Sequence, residues 1–242
     1  LEPIGKSQAY SILAEKLSEV ENLDAYVFFD AKNYVDSDFL SNVNYYLSKY
    51  DVFMPTVNYI GEYKDLKFWD CVRVTYSSYV SKFIYATRTR LGLTNLINTD
   101  NFVIKKELLN KIGSFDFQDK TAEVLYTLKL AKEKVAVASI DDLKVYTEIK
   151  NYDNRIPSLS KRINIFRNEI SKCPNFMAQE YACSLVQPNL LFIIFAYAVL
   201  LRHSYTFPFW VGYSTILITS IVLALAFCVS LLHAKIYAKE YI

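Results

Sequence analysis

From Phe207 to Leu232 the chain carries no charged residue. A bilayer core is crossed by roughly 20 apolar residues in helical form. Inside it every backbone N–H and C=O must find a partner within the segment or its neighbours. A run this long and uniform therefore predicts a membrane helix rather than a pair of buried helices in a soluble body. Trp210 and Tyr213 stand near one end, where amphipathic rings settle at headgroup level. Leu185 to Leu201 is a second apolar run, interrupted near its start by Gln187, Pro188 and Asn189. It makes sense as the other arm of a hairpin, 185–233, closed by the short piece Arg202–Thr206. Lys161, Arg162, Arg167 and Lys172 precede the pair, Lys235 and Lys239 follow it, and the joining piece carries Arg202 alone. Basic residues mark the cytoplasmic side. The expectation is a multi-pass protein of an inner or plasma membrane, with its soluble part, 1–180, and its tail, 234–242, both in the cytoplasm.

Several functions are disfavoured by what the chain lacks. A net charge of +2 gives no concentrated basic face, so no nucleic-acid partner is expected. The cysteines Cys71, Cys173, Cys183 and Cys228 form no Cys-x-x-Cys pair, and only two histidines accompany them, which leaves zinc without support. They read as free thiols. Intramembrane charges, which mark ion paths, are missing from the long run, and two spans do not make a transport path. The first residues show no secretory leader pattern.

Residues 1–180 alternate helix-like and strand-like patterns, which predicts an α/β layer fold. Ser7 to Val20 places Ala9, Ile12, Leu13, Leu17 and Val20 at helical spacing. Ala25–Phe29 reads as a strand. Asp36-Ser37-Asp38 is expected to cap a helix running to Tyr50, with acids in its first turn. Val52–Tyr59 is a strand, and Leu66–Arg90, free of breakers, one long helix. Phe102–Ile104 is a short strand, and Lys105–Ile112 a helix stopped by Gly113. Thr121–Lys134 is a helix with Val124, Leu125, Leu128 and Ala131 on one face. Val135–Ala138 and Leu143–Thr147 are strands. Pro157 opens a basic amphipathic helix carrying Ile163, Ile165, Phe166 and Ile170, suited to a membrane surface.

The stretch Asp24-Ala25-Tyr26-Val27-Phe28-Phe29-Asp30-Ala31-Lys32-Asn33 is a buried strand running into an acidic tip. A carboxylate there sits where open α/β sheets bind ligands. The tip is similar to the Asp-Ala-Asp-Asn of family-2 glycosyltransferases, with Lys32 in place of the second acid, and Asp36-Ser37-Asp38-Phe39-Leu40 follows as in that family. Gly5-Lys6-Ser7-Gln8-Ala9, Leu91-Gly92-Leu93, Asn98-Thr99-Asp100-Asn101-Phe102-Val103-Ile104, Gly113-Ser114-Phe115 and Leu159-Ser160-Lys161-Arg162 fall in matching order. The chain thus resembles the catalytic domain of a membrane-embedded family-2 glycosyltransferase of the cellulose or hyaluronan synthase kind, in arrangement more than in single motifs.

That resemblance implies a partial A-type glycosyltransferase (nucleotide-diphospho-sugar transferase) domain followed by the transmembrane hairpin. It implies donor and diphosphate contacts from Lys6, Asp30, Lys32 and Arg162, and a divalent Mg or Mn ion at Asp30. It places Asn98, Thr99 and Asp100 in the acceptor loop, where the family has Gly-Thr-Gly. It makes Glu123 the base, in Thr121-Ala122-Glu123 where the family has Thr-Glu-Asp, with Asp119 as a nearby substitute. Beside Arg162 the family's Arg-Trp pair is gone; Phe166 and Arg167 lie just beyond. The family's first strands and uridine-binding Asp precede its Gly-Lys, so an N-terminal truncation is expected.

Each residue also has a plainer reading. Asp30 can cap a turn, and Glu123 can be an acid in a first helical turn, satisfied by the dipole. Two functions follow. One is sugar transfer from a nucleotide sugar to a polysaccharide or glycolipid acceptor. The other is a non-catalytic relative, a scaffold or partner of an active transferase chain, or the remnant of a degraded gene.

Overall fold

The computed structural model describes residues 22–61, 67–113, 121–148 and 157–186, with isolated positions at 12, 16, 20, 218, 221, 225 and 236–237. Of the expected helix over Ser7–Val20, Ile12 and Lys16 are described and helical and Val20 is not helical; the rest of it and nearly all of the hairpin 185–233 lie outside the described residues. Among the described residues no helix is long and apolar enough to cross a membrane.

The strands β1 (Ala25–Phe29), β2 (Tyr34–Val35), β3 (Val52–Ile60), β4 (Asn101–Lys105), β5 (Val137–Glu148) and β6 (Ile236–Tyr237) form one mixed sheet. Its order is β1-β4-β3-β5-β2, and β6 pairs with the end of β3. β4 runs antiparallel between β1 and β3, whereas β3 and β5 run parallel. β1, β3 and β5 therefore point the same way, and their carboxyl ends share one edge of the molecule.

Alternation of side chains builds two cores from this sheet. Tyr26, Phe28, Val52, Met54, Phe102, Ile104 and Val137 point to one face, under helices α4 (Lys106–Ile112) and α5 (Thr121–Lys132). Phe53, Val103, Ala138 and Val145 point to the other, with Val27 and Phe29, under α1 (Phe39–Leu47). Phe28 stacks on Phe102 at 4.4 Å between ring centres, and Phe102 is fully buried. A third core lies outside the sheet. There Val124, Leu128 and Ala131 of α5 meet Ile165 of α6 (Leu159–Glu169) and Ala178, Tyr181 and Ala182 of α7 (Phe176–Ser184).

The long helix expected over Leu66–Arg90 is found from Phe68 to Arg90, in three geometries. α2 (Phe68–Tyr79) passes into a π-helical turn, Val80–Tyr85, and then into α3 (Ala86–Arg90). Arg88 forks onto Glu180 at 2.8 and 2.7 Å, tying this helix to α7. Gly113 ends α4 with φ at +89°, a conformation open to glycine.

Four expectations are corrected. α1 starts at Phe39 and ends at Leu47, with no acid in its first turn. Asp38 occupies the cap position, but its carboxylate accepts from the Asn42 side chain at 3.1 Å, not from a backbone N–H. The two strands expected over Val135–Thr147 are one strand, β5, carrying a bulge. Pro55 pairs with Ile140 but Thr56 pairs with Lys144, so the strand stays continuous through the intervening residues. Leu125 points away from the face shared by Val124, Leu128 and Ala131 and is exposed. The apolar side of α6 faces protein, since Ile165, Phe166 and Ile170 pack in the third core.

Candidate functional site

The site grows from the tip of β1. The Asp30 N–H donates to the Asp100 carbonyl at 2.9 Å, and the Asp30 carbonyl accepts from the Asn33 N–H at 3.0 Å. The Asn33 side-chain amide donates to the Asp100 carbonyl at 3.4 Å and to the Asn101 side-chain oxygen. The β1 tip is thus laced to the loop that leads into β4. In that loop Asn98 Oδ1 accepts from the Asp100 N–H at 3.1 Å, an Asx turn. Asn98, standing where the resembled family has glycine, holds the turn with its own side chain. Its backbone N–H points at the Met54 sulfur, 3.0 Å away.

Thr99 faces the other way. Its N–H lies 3.3 Å from Glu123 Oε1, and its hydroxyl donates to the same oxygen. Glu123, in the first turn of α5, is 7% exposed. A buried carboxylate needs hydrogen-bonded partners, and Thr99 supplies two donors. The helix under it is pinned as well. Thr127 Oγ1 donates to the Glu123 carbonyl at 2.8 Å and accepts from the Ile97 N–H at 3.0 Å.

Glu123, Asn98, Asp100 and Asn33 line a cavity of about 200 Å³ beside the carboxyl-terminal half of β3. Its opposite wall is the helix Phe68–Arg90, through Tyr76, Ser77, Val80, Ser81 and Tyr85. Tyr59 of β3 donates from its hydroxyl to Ser77 Oγ at 3.2 Å, closing the wall against the sheet. Burial pushes the Tyr76 phenol up, with Tyr79 adding to the shift and Arg162 opposing it through space.

The structure therefore joins Asp30, Asn98, Thr99, Asp100 and Glu123 around one edge of the sheet. Lys32 sits exposed at the β1 tip. Arg162, on α6, is 9% exposed and acts on Tyr76 without lining the cavity. Lys6 and Asp119 lie outside the described residues. Tyr59, Tyr76, Ser77, Ser81 and Tyr85 were not singled out from sequence. For Tyr76 and Ser77 the signal was a hydroxyl-rich stretch within the long helix, Thr75-Tyr76-Ser77-Ser78-Tyr79, of the kind that also suits an ordinary surface; Tyr59, Ser81 and Tyr85 lie outside it.

The divalent ion implied by the resemblance does not fit the residues present. Hard cations take clusters of oxygen ligands. Asp30 Oδ1 accepts from the backbone N–H of Lys32 at 3.2 Å, capping its own turn, and the side chain that follows is an ammonium. No group of three or more His, Cys, Asp or Glu residues is assembled among the described residues.

No family model matches the chain. No curated protein matches it either. Among solved structures, the mannosyltransferase PcManGT from Pyrobaculum calidifontis, in complex with GDP-Man and Mn2+, is similar at 15% identity and a TM-score of 0.39. The likeness covers 97% of this chain and 68% of that chain.

Proposed function

We propose that the chain is a membrane-bound, glycosyltransferase-like protein that passes a sugar from a nucleotide donor to a polysaccharide or glycolipid acceptor. One observation carries the reading. Residues that the sequence places far apart, Asp30, the loop Asn98–Asp100 and Glu123, meet at the edge where the parallel strands end, and Asn98, Asp100 and Glu123 among them line one cavity. Such an edge is where open α/β sheets bind their ligands.

In this reading the acceptor hydroxyl oxygen bonds to the anomeric carbon, the bond from that carbon to the diphosphate oxygen breaks, and the diphosphate leaves with the electron pair. Glu123 takes the hydroxyl proton. Thr99 fixes the carboxylate for that task by two hydrogen bonds to one oxygen. Lys32, at the β1 tip, supplies positive charge toward the departing diphosphate. The membrane part of the proposal rests on the uncharged run 207–232. Ile218, Ile221 and Leu225, the described positions within it, are helical and 50–62% exposed. Apolar side chains at that spacing suit lipid. The distribution of Lys and Arg puts the sheet domain and tail on the cytoplasmic side.

The second reading, a non-catalytic partner of another transferase, is favoured by the self-capped Asp30 and by Lys32 beside it. Transfer of radiolabel from nucleotide sugars, measured in membranes that hold the full chain, separates the two. Glu123→Gln is expected to lower transfer by about 10²–10⁴-fold, the usual share of a general base. Equal incorporation by Glu123→Gln and the parent chain would leave the non-catalytic reading standing.

A further inference from the structure

We propose that the cavity is a recognition pocket for an uncharged sugar ring, read by Tyr76 and Ser81, and that its charge pattern rejects acidic sugars. This rests on the transferase-like reading and names the class of ring that its acceptor side takes.

Size is the first argument. About 200 Å³ is below the roughly 300–1,000 Å³ of clefts that enclose drug-sized ligands. It suits a single ring and not a whole nucleotide sugar. Charge is the second. Among the described residues that line the cavity there is no Lys, Arg or His, while Asp100 and Glu123 both do so. An anion placed there meets two carboxylates in a partly enclosed site, where charges act more strongly than in water. A diphosphate or a uronic acid is therefore disfavoured, and a neutral polyol is not.

The third argument is the wall. The π-helical turn is marked by the Ala86 N–H reaching back five residues to the Ser81 carbonyl. It brings Tyr85 onto the cavity five residues after Val80, while Ile84 turns outward and is 38% exposed. π turns inside α-helices occur often at functional sites. Ser81 Oγ is buried on this wall and has no hydrogen-bond partner among the described residues. A helical serine either turns to solvent or bonds back to a carbonyl one turn earlier; this one does neither. A buried hydroxyl left in that state costs stability, and a sugar hydroxyl in the cavity would relieve it. The Tyr76 ring adds an aromatic surface beside it.

The test uses the full chain in lipid nanodiscs. Methyl glycosides of neutral hexoses and of glucuronic acid are titrated in the millimolar range, with binding read by saturation-transfer NMR. Neutral glycosides are expected to bind and the uronide is not. Ser81→Ala should weaken binding roughly three- to tenfold, the effect of one ordinary hydrogen bond. Asp100→Asn should raise uronide binding relative to neutral hexose. Circular dichroism confirms that each variant is folded. Equal binding of neutral and acidic glycosides, no binding of either, or unchanged affinity in both Ser81→Ala and Tyr76→Ala would overturn the proposal. Selective binding of neutral glycosides without any sugar transfer would sustain the pocket and remove the transferase reading. Transfer with no such selectivity would do the reverse.

Discussion

Thr99 is the smallest part of the site with a clear job. A valine there would keep the shape and lose the hydroxyl that donates to Glu123. Hydrogen bonds to charged groups are worth about 1.5–3 kcal/mol, and about 1.4 kcal/mol is tenfold in rate. Thr99→Val is expected to lower the proposed transfer at least tenfold, with acceptor KM little changed. Thr99→Ser, which restores the donor, should recover most of it. A merely structural threonine would show neither the split nor the rescue. Glu123 was legible in the sequence as an acid opening a helix, and Asn98–Asp100 as the loop before a strand. Their union was not legible, because the bond from Thr99 to Glu123 spans 24 positions and depends on how the loop lies over α5. Asp30 shows the opposite limit. Its place at a strand end and a turn-capping role were both readable, while the partner it caps, the Lys32 N–H, appears only once the turn is built.

At the scale of elements, strong periodicity carried most of the reading. β1 was foreseen to the residue, and the long helix to within two residues at its start. Geometry within elements stayed hidden. The π turn needs no breaker residue, and the β5 bulge keeps apolar residues on both sides of Asp141-Asp142. α7 was missed because Phe176–Ser184 is short and weakly patterned, though Asn175 caps it by accepting from the Ala178 N–H at 2.9 Å. The packing of α6 against α5 has an electrostatic latch. Glu169 accepts from Lys132 at 2.7 Å and from Lys172 at 2.8 Å, and these bonds hold its carboxyl below its ordinary value of 4.5. A depressed carboxylate stabilises the fold above its unfolded value, and that share is lost as pH falls through the folded value. Chemical denaturation followed across pH 6 to about 3 should therefore show weakening on the acid side. Glu169→Gln should flatten that slope; an unchanged slope would discard the latch.

For the whole molecule, the mixed α/β class was readable from alternating patterns. The strand order was not, because the antiparallel placement of β4 between β1 and β3 arises from long-range pairing. The membrane proposal has its own check at this scale. Native membranes washed with alkaline carbonate should retain the chain in the pellet, and its appearance in the supernatant would refute an integral anchor.

The pairing of β6 with β3 bears on the same question by simple counting. Residues 236–237 lie beyond the uncharged run, yet they join the sheet in parallel at Tyr59 and Ile60. A chain that leaves the sheet domain after Val186 and returns to it at Ile236 must finish on the side where it began. On the membrane proposal, the number of crossings between those points is therefore even. The same proposal then expects a tag placed after Ile242 and one placed in the 62–66 segment to answer alike to a protease that cannot pass the bilayer.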